Sequence, residues 1–227
     1  MQHKIIYAIF ALTFLLACNQ QYHAESQELA SGTSDVQGTA SVNSENSADF
    51  QEGDLIFQTS SSGQSLAVQL ATHSPYSHCG ILFKDAGKWF VYEAVQPVKK
   101  TPVDAWIMRG DDGKYVTKRL KDREKLSPEL IEAMKKTYEA FAGKDYDLTF
   151  EWTDDRIYCS ELIWKIYKRT MDIEIGQLQQ LREFDLTSPV VKKIMKARYG
   201  DAVPLSETVI SPASIFQSEL LVTAKSN

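Results

Sequence analysis

Basic residues are missing from a long stretch of this chain: between Lys4 and Lys84 there is neither lysine nor arginine. Across all 227 residues, 25 basic side chains face 30 acidic ones, a net charge of −5. Without a basic excess there is no face for neutralising phosphates, which excludes nucleic acid as the main partner. Cysteine is scarce as well. Three cysteines are too few for a disulfide scaffold. No Cys-x-x-Cys and no His-x-x-x-His pair occurs, so the common metal-ligand spacings are absent and no metal or cofactor is called for. The longest apolar run, Ile5 to Ala17, has 13 residues, against the ~20 that a helix needs to span a bilayer. No internal repeat is visible. What is present is 43% hydrophobic and 24% charged residues, enough for a packed core and too apolar for wholesale disorder. The length fits one domain plus tails.

The first residues read as an address. Lys4 supplies a positive n-region and Ile5 to Ala17 an h-region. The run ends Leu15-Leu16-Ala17-Cys18, which resembles a bacterial lipobox, with Cys18 as the lipidated residue. Residues 1–18 are therefore expected to be a lipoprotein signal with its anchor. Asn19 stands where an inner-membrane retention signal would carry aspartate, which leans towards the outer membrane. The expected location is the bacterial cell envelope, an oxidising setting. Residues 19–51 are rich in Ser, Gln, Asn, Glu and Gly, and their apolar residues have no period of 2 or 3.6. They read as a tether that cannot bury enough surface to offset its ordering entropy.

From Glu52 onward the texture is that of one domain, 52–227. Asp54 to Phe57 reads as a strand, and Gly63 to His73 as a helix. Ser77–Lys84 and Trp89–Val95 read as strands around a turn at Asp85-Ala86-Gly87-Lys88. Tyr115 to Leu120 is a further strand. Ser127-Pro128 opens a helix as N-cap and N1. A second helix is expected from Asp155, with Cys159, Leu162, Ile163, Ile166 and Tyr167 inward. Shorter helices are expected at 177–183 and 189–198, then a helical turn from Ser211-Pro212 and a strand at 220–224. Strands first with helices flanking them argue for an α+β fold.

With Asp155 as cap, Cys159 falls in the first turn of its helix, where free N–H groups and the dipole favour a thiolate. Cys79 follows His78 on a strand, so the two face opposite ways. Cys79 shares its face with Ile81 and Phe83 and reads as core, which speaks against a Cys79–Cys159 disulfide. His78 shares its face with Gly80, leaving space for a close approach. Glu93 lies in a strand apolar on both faces, where a carboxylate needs a partner. Pairing across the 85–88 turn brings Glu93 within a residue or two of His78. Together these are a thiolate source, a proton acceptor and a group to orient the imidazole: Cys159, His78 and Glu93.

These motifs resemble NlpC-type cell-wall peptidases, but in rotated order. Gly53-Asp-Leu-Ile-Phe57, His78-Cys-Gly-Ile81 and Glu93 come first. Gly143-Lys-Asp-Tyr146 and Tyr158-Cys-Ser-Glu161 follow. The chain is similar to the YiiX/YebB-like circularly permuted papain-fold family from about Glu52 to Ala224. The resemblance implies an antiparallel sheet or small barrel packed against helices, and a thiol hydrolase or acyltransferase acting on a peptide, lipid or acyl substrate. It also implies an oxyanion role for Tyr146. Glu93 replaces the usual histidine, Glu161 a glycine and Tyr158 an aspartate, so peptidoglycan specificity is not carried over.

Asp155 and Arg156, just before the nucleophile, are candidates for touching a charged substrate end, against helix capping and solvent exposure. Lys192, Lys193, Lys196 and Arg198 form either a solvated face or a contact with anionic headgroups. Two other classes compete with catalysis. One is a non-catalytic lipid- or peptide-binding lipoprotein on the same fold. The other is a metal site from His73, His78, Cys79 and Cys159, disfavoured because His78 and Cys79 face apart.

Overall fold

The computed structural model describes residues 49–226. The signal, Cys18 and nearly all of the tether lie outside them. Strand β1 (Leu55–Gln58) is buried at every residue. Its side chains alternate between two cores, Leu55 and Phe57 on one face of the sheet and Ile56 on the other. Ser62 caps helix α1 (Gly63–Thr72), its hydroxyl accepting from the Ser65 N–H at 3.1 Å. Strands β2 (His78–Asp85) and β3 (Lys88–Glu93) form a hairpin. Ala86 and Gly87, at φ 48° and 78°, make its turn, the pairing of positive φ values that matches strand twist. The turn expected at 85–88 is where the structure has it.

Strand β4 (Lys99–Pro102) adds to β3 and runs directly into helix α2 (Val103–Met108). Strand β5 (Val116–Leu120) pairs with β1 on its other side. Helix α3 (Pro128–Glu139) starts at the expected Ser127 cap with proline at N1. Helix α4 (Cys159–Met171) follows, then β6 (Gln179–Gln180), α5 (Pro189–Tyr199), β7 (Thr208–Val209), α6 (Pro212–Phe216) and β8 (Leu221–Ser226). The main sheet has the order β4-β3-β2-β1-β5-β8, antiparallel throughout.

The sheet divides the domain. On one face α3 and α4 bury Phe57, Cys79, Ile81 and Phe83 against Met134, Tyr138, Leu162 and Ile166. On the other, Val103 and Trp106 of α2 cover Ile56, Leu82 and Val91. Phe50 joins this smaller core, edge-on to Trp89 and Tyr115. The domain therefore begins before the tether boundary drawn at residue 51.

Two expected elements differ. Helix α4 begins at Cys159 with Tyr158 as its cap, not at Asp155. Residues 145–147 and 157 are tied together instead: Ile157 N–H donates to Asp145 O at 3.2 Å and Asp147 N–H to Ile157 O at 3.1 Å. That extended pairing forbids helix until Tyr158. Residues 177–183 are β6 plus a 3-10 turn at Leu181–Glu183 rather than a helix. Gly176, at φ 83°, breaks the chain before them, and β7 claims their backbone.

Candidate active site

His78 is the first residue of β2. The β2–β3 ladder pairs Ile81 with Tyr92, so one step further sets Glu93 opposite Gly80. This makes Glu93 a diagonal neighbour of His78 on the same face, within reach of a long side chain. Gly80 must be glycine: a Cβ there would lie 2.3 Å from Val91 Cγ1. Glu93 Oε2 meets His78 Nε2 at 2.6 Å.

Glu93 is fully buried, and four donors satisfy its carboxylate. Besides His78 these are Thr101 Oγ1 at 2.5 Å, Trp106 Nε1 at 2.9 Å and Arg109 Nη2. Thr101 comes from β4, Trp106 from α2 and Arg109 from its C-cap. Burial alone would raise the carboxyl pKa. The hydrogen bond and charge of His78, with Arg109 and Thr101, outweigh it and hold Glu93 below the ordinary range. Sequence reasoning missed all three of these supports, because nothing in Thr101-Pro-Val-Asp-Ala-Trp-Ile-Met-Arg109 marks them as more than an amphipathic turn.

With Nε2 engaged by Glu93, Nδ1 is the His78 nitrogen left for Cys159, whose charge acts on the ring. Cys159 is buried at the N1 position of α4. Its thiol pKa is pulled well below the ordinary value, first by a side-chain hydrogen bond from Cys79. Burial opposes this, and the hydrogen bond and charge of His78 and the Cys79 backbone N–H add to it. The backbone donor has a simple origin. Even-numbered residues of β2 turn their N–H to β1, as Leu82 does to Asp54 O at 2.8 Å. Cys79 turns towards β3, which ends at Glu93, one residue short of pairing with it. On His78, burial disfavours charge. The bonds and negative charges of Cys159 and Glu93 outweigh that and raise its pKa to about 10. Both shifts favour the thiolate–imidazolium form of the pair.

Cys79 is not the uninvolved core residue expected. It does pack with Phe57, Ile81 and Phe83, while His78 stacks on Trp106 at the other face. The alternation holds, but Cys159 sits over the open end of β2 and reaches both. Burial and the neighbouring Cys159 raise the Cys79 pKa, so it stays a thiol donor. Both cysteines are free.

Burial first, then the charge of the neighbouring Cys159, hold the Tyr146 phenol pKa well above its ordinary value. Gln64 Nε2 donates to the Tyr146 hydroxyl at 3.3 Å, and Arg198 Nη2 donates to Gln64 Oε1 at 2.9 Å. Arg198 thus faces inward, unlike the exposed Lys192 and Lys193 on the same helix. Asp155 and Arg156 are not brought to this cluster. Asp155 is exposed. Arg156 clamps a loop, reaching Thr149 Oγ1 and Glu151 Oε2 at 3.1 Å each.

A predominantly apolar cavity has Cys159 and Tyr146 in its lining. Its walls are α1, through Ala67 and Val68, and α5, through Val191 and Met195, closed by Leu186 and Ile210. Gln64, Tyr146 and Arg198, linked to one another, are among its polar lining groups.

A buried cysteine opening a helix, facing a histidine on an antiparallel sheet, is a papain-like arrangement; here the sheet's histidine precedes the cysteine in the chain. Residues 49–223 match the family described as permuted papain-like amidase enzymes, YaeF/YiiX, C92 family, and the chain belongs to it. The family is of the cysteine amidase or peptidase type. The chain is 48% identical over 173 residues to the uncharacterised protein YiiX of Escherichia coli K12, covering 76% of this chain and 85% of that one. A crystal structure described as metalloprotein YiiX from Escherichia coli O157:H7 superposes with a TM-score of 0.76 at 46% identity, over 79% of this chain and 98% of that one. Among the described residues here, no group of three or more His, Cys, Asp or Glu is arranged to hold a metal ion. His78, already bonded to Glu93 and Cys159, has no nitrogen to spare. The described residues of this site do not fit a metal.

Proposed function

We propose that the protein is a thiol hydrolase, or acyltransferase, that cleaves an amide or ester whose acyl part is an apolar chain. The observation that carries this reading is Cys159, grouped with His78 and Glu93, in the lining of an apolar cavity. The Cys159 thiolate attacks the carbonyl carbon, forming the S–C bond while the carbonyl electrons move to oxygen. The oxyanion is met by the Cys159 N–H, which has no intrahelical acceptor at N1, and by the Tyr146 hydroxyl. The His78 imidazolium gives its proton to the leaving nitrogen or oxygen as that bond breaks, leaving a thioester. His78 then takes a proton from water, or from another acceptor hydroxyl or amine, which attacks the thioester carbonyl; the C–S bond breaks and the Cys159 thiolate and the His78 imidazolium are restored. Glu93 keeps the imidazole aligned in both halves.

The acyl assignment rests on the chemistry of the cavity: aliphatic walls from α1 and α5 suit a hydrocarbon chain better than a peptide, whose amides would be left unpaired there. The Cys18 anchor would hold the domain at a membrane of the cell envelope, where such substrates concentrate. Loss of fatty-acyl labelling in a Cys18→Ser chain would test it.

The activity is tested by exposing the full chain to a p-nitrophenyl ester and an N-acyl amide of a medium-chain fatty acid. An acyl adduct is expected on Cys159 by mass spectrometry, absent in Cys159→Ala. No adduct, with a thiol that alkylates with a midpoint near ~8.5, would overturn catalysis in favour of a non-catalytic lipid-binding role for the same cavity.

A further inference from the structure

We propose that Gln64 is a positioning residue: held by Arg198, it turns the Tyr146 hydroxyl proton towards Cys159. This rests on the thiol-hydrolase reading and deepens it. The argument is one of donors and acceptors. A guanidinium donates and cannot accept. Arg198 Nη2 lies 2.9 Å from the Gln64 side-chain oxygen, so the amide has only one orientation, with its NH2 group turned to Tyr146 at 3.3 Å. That NH2 occupies a lone pair on the phenol oxygen. The phenol has a single proton, and it cannot point at another donor. Tyr146 and Cys159 line the same cavity, so the proton is left to point into it, beside the sulfur. Arg198 Cζ lies 5.2 Å from the centroid of the Phe150 ring, a contact that helps to hold the guanidinium in place.

The backbone of Tyr146 is separately anchored. Its N–H donates to Gln96 Oε1 at 2.7 Å, and it pairs with Ile157 in a parallel bridge. Gln64 is therefore not needed to hold the ring in place. Its contribution is the direction of one proton, and three helices and loops distant in sequence converge to set it: α1 brings Gln64, the 145–157 pairing brings Tyr146, and α5 brings Arg198.

The test is a double-variant cycle read on Cys159 itself, so that it does not depend on any substrate. The groups that face the thiol are His78, Cys79 and Tyr146. The full chain is alkylated with iodoacetamide across pH, and the label on the Cys159 peptide is followed by mass spectrometry. Tyr146→Phe removes the phenol donor and should move the midpoint up by about half to one pH unit. Gln64→Glu presents an acceptor to the phenol, draws its proton away from sulfur, and should produce the same shift. In the Tyr146→Phe background, Gln64→Glu should then do nothing further. Gln64→Met, which neither donates nor accepts strongly, should give a smaller shift and the same loss of effect in that background. A shift from Gln64→Glu or Gln64→Met that persists in full without the phenol, or no shift from either in the otherwise unchanged chain, would overturn the proposal. Failure of the hydrolase reading shows separately, as absence of the acyl adduct on the unchanged protein.

Discussion

His78 and Trp106 converge on a single oxygen atom. Nε2 of the imidazole and Nε1 of the indole lie 2.6 Å and 2.9 Å from Glu93 Oε2, and the two rings stack with centroids 5.9 Å apart and planes 27° from parallel. The other oxygen, Oε1, takes Thr101 and Arg109. The carboxylate is thereby fixed in rotation, and the imidazole inherits its plane from the carboxylate and the indole together. Trp106→Phe keeps the stacked ring but removes one donor. It should lower acyl turnover roughly three- to tenfold and stability by about 1 kcal/mol. Glu93→Ala strips His78 of its partner and leaves three donors unmet, so its loss should be far larger. Equal losses in the two variants would mean that the imidazole depends on the indole alone.

The thiolate–imidazolium pair sets a pH window. The thiolate is lost as pH falls through the depressed Cys159 pKa, and the imidazolium as pH rises through about 10. Turnover should be flat between these limits. The same groups enter stability with opposite signs. The raised pKa of His78 contributes stability that is complete below the ordinary histidine value of ~6.5 and is lost as pH rises through about 10. The depressed Cys159 pKa offsets this loss up to the ordinary thiol value of ~8.5, so melting temperature should fall mainly between about pH 8.5 and pH 10 in the unchanged protein, and fall less in His78→Gln.

Cys79→Ala removes the largest influence lowering the Cys159 pKa. Its alkylation midpoint should move upward, while Cys159 remains the labelled residue. A silent Cys79→Ala would return Cys79 to the role of packing alone.

Val68 lies on α1 along the apolar cavity. Val68→Phe adds bulk to one wall and should shorten the acyl chain that is accepted. In a series of p-nitrophenyl esters, longer chains should lose turnover by tenfold or more, on the order of a ~1.4 kcal/mol clash, while acetate is spared. A uniform loss at every length would place the chain elsewhere.

Asp54, wholly buried at the head of β1, is held by Arg119 of β5 through two bonds of 2.8 Å. Arg119→Met leaves that carboxylate without its cation and should cost ~3–5 kcal/mol in denaturant unfolding. Asp54→Asn combined with Arg119→Met should recover much of that cost.

Much of this site could be read from residue types and spacing, and the reason is locality. The distance from His78 to Glu93 is set by one tight turn and strict alternation, so counting from Ala86-Gly87 suffices. Cys159 was legible because a polar-to-apolar switch announces its helix, although Asp155 misled on its start. Asp154, next to it, is engaged by Lys165 at 2.9 Å and Arg169 at 2.7 Å from later turns of α4. The acids before the helix hold its flank and leave the cap to Tyr158. What stayed hidden is whatever depends on two elements meeting late. Trp106 and Arg109 reach Glu93 only because β4 runs into α2, and Arg198 reaches Gln64 only because α5 lies on α1. Cys79 was misjudged for a different reason. Alternation assigns a face along a strand, but it does not say what covers the strand's end.

The central sheet acts as a partition with the proposed nucleophile on one side and the anchor of its proposed base on the other. Cys159 belongs to the layer of α3 and α4, while Trp106 belongs to the smaller layer under α2. Only the open end of β2 joins them. A chain in which one layer has packed and the other has not would be folded by most spectroscopic measures and still chemically inert. Reactivity of the thiol is thus a readout of whether both halves of the domain have closed, and damage to the smaller layer should silence the site without touching anything that contacts substrate.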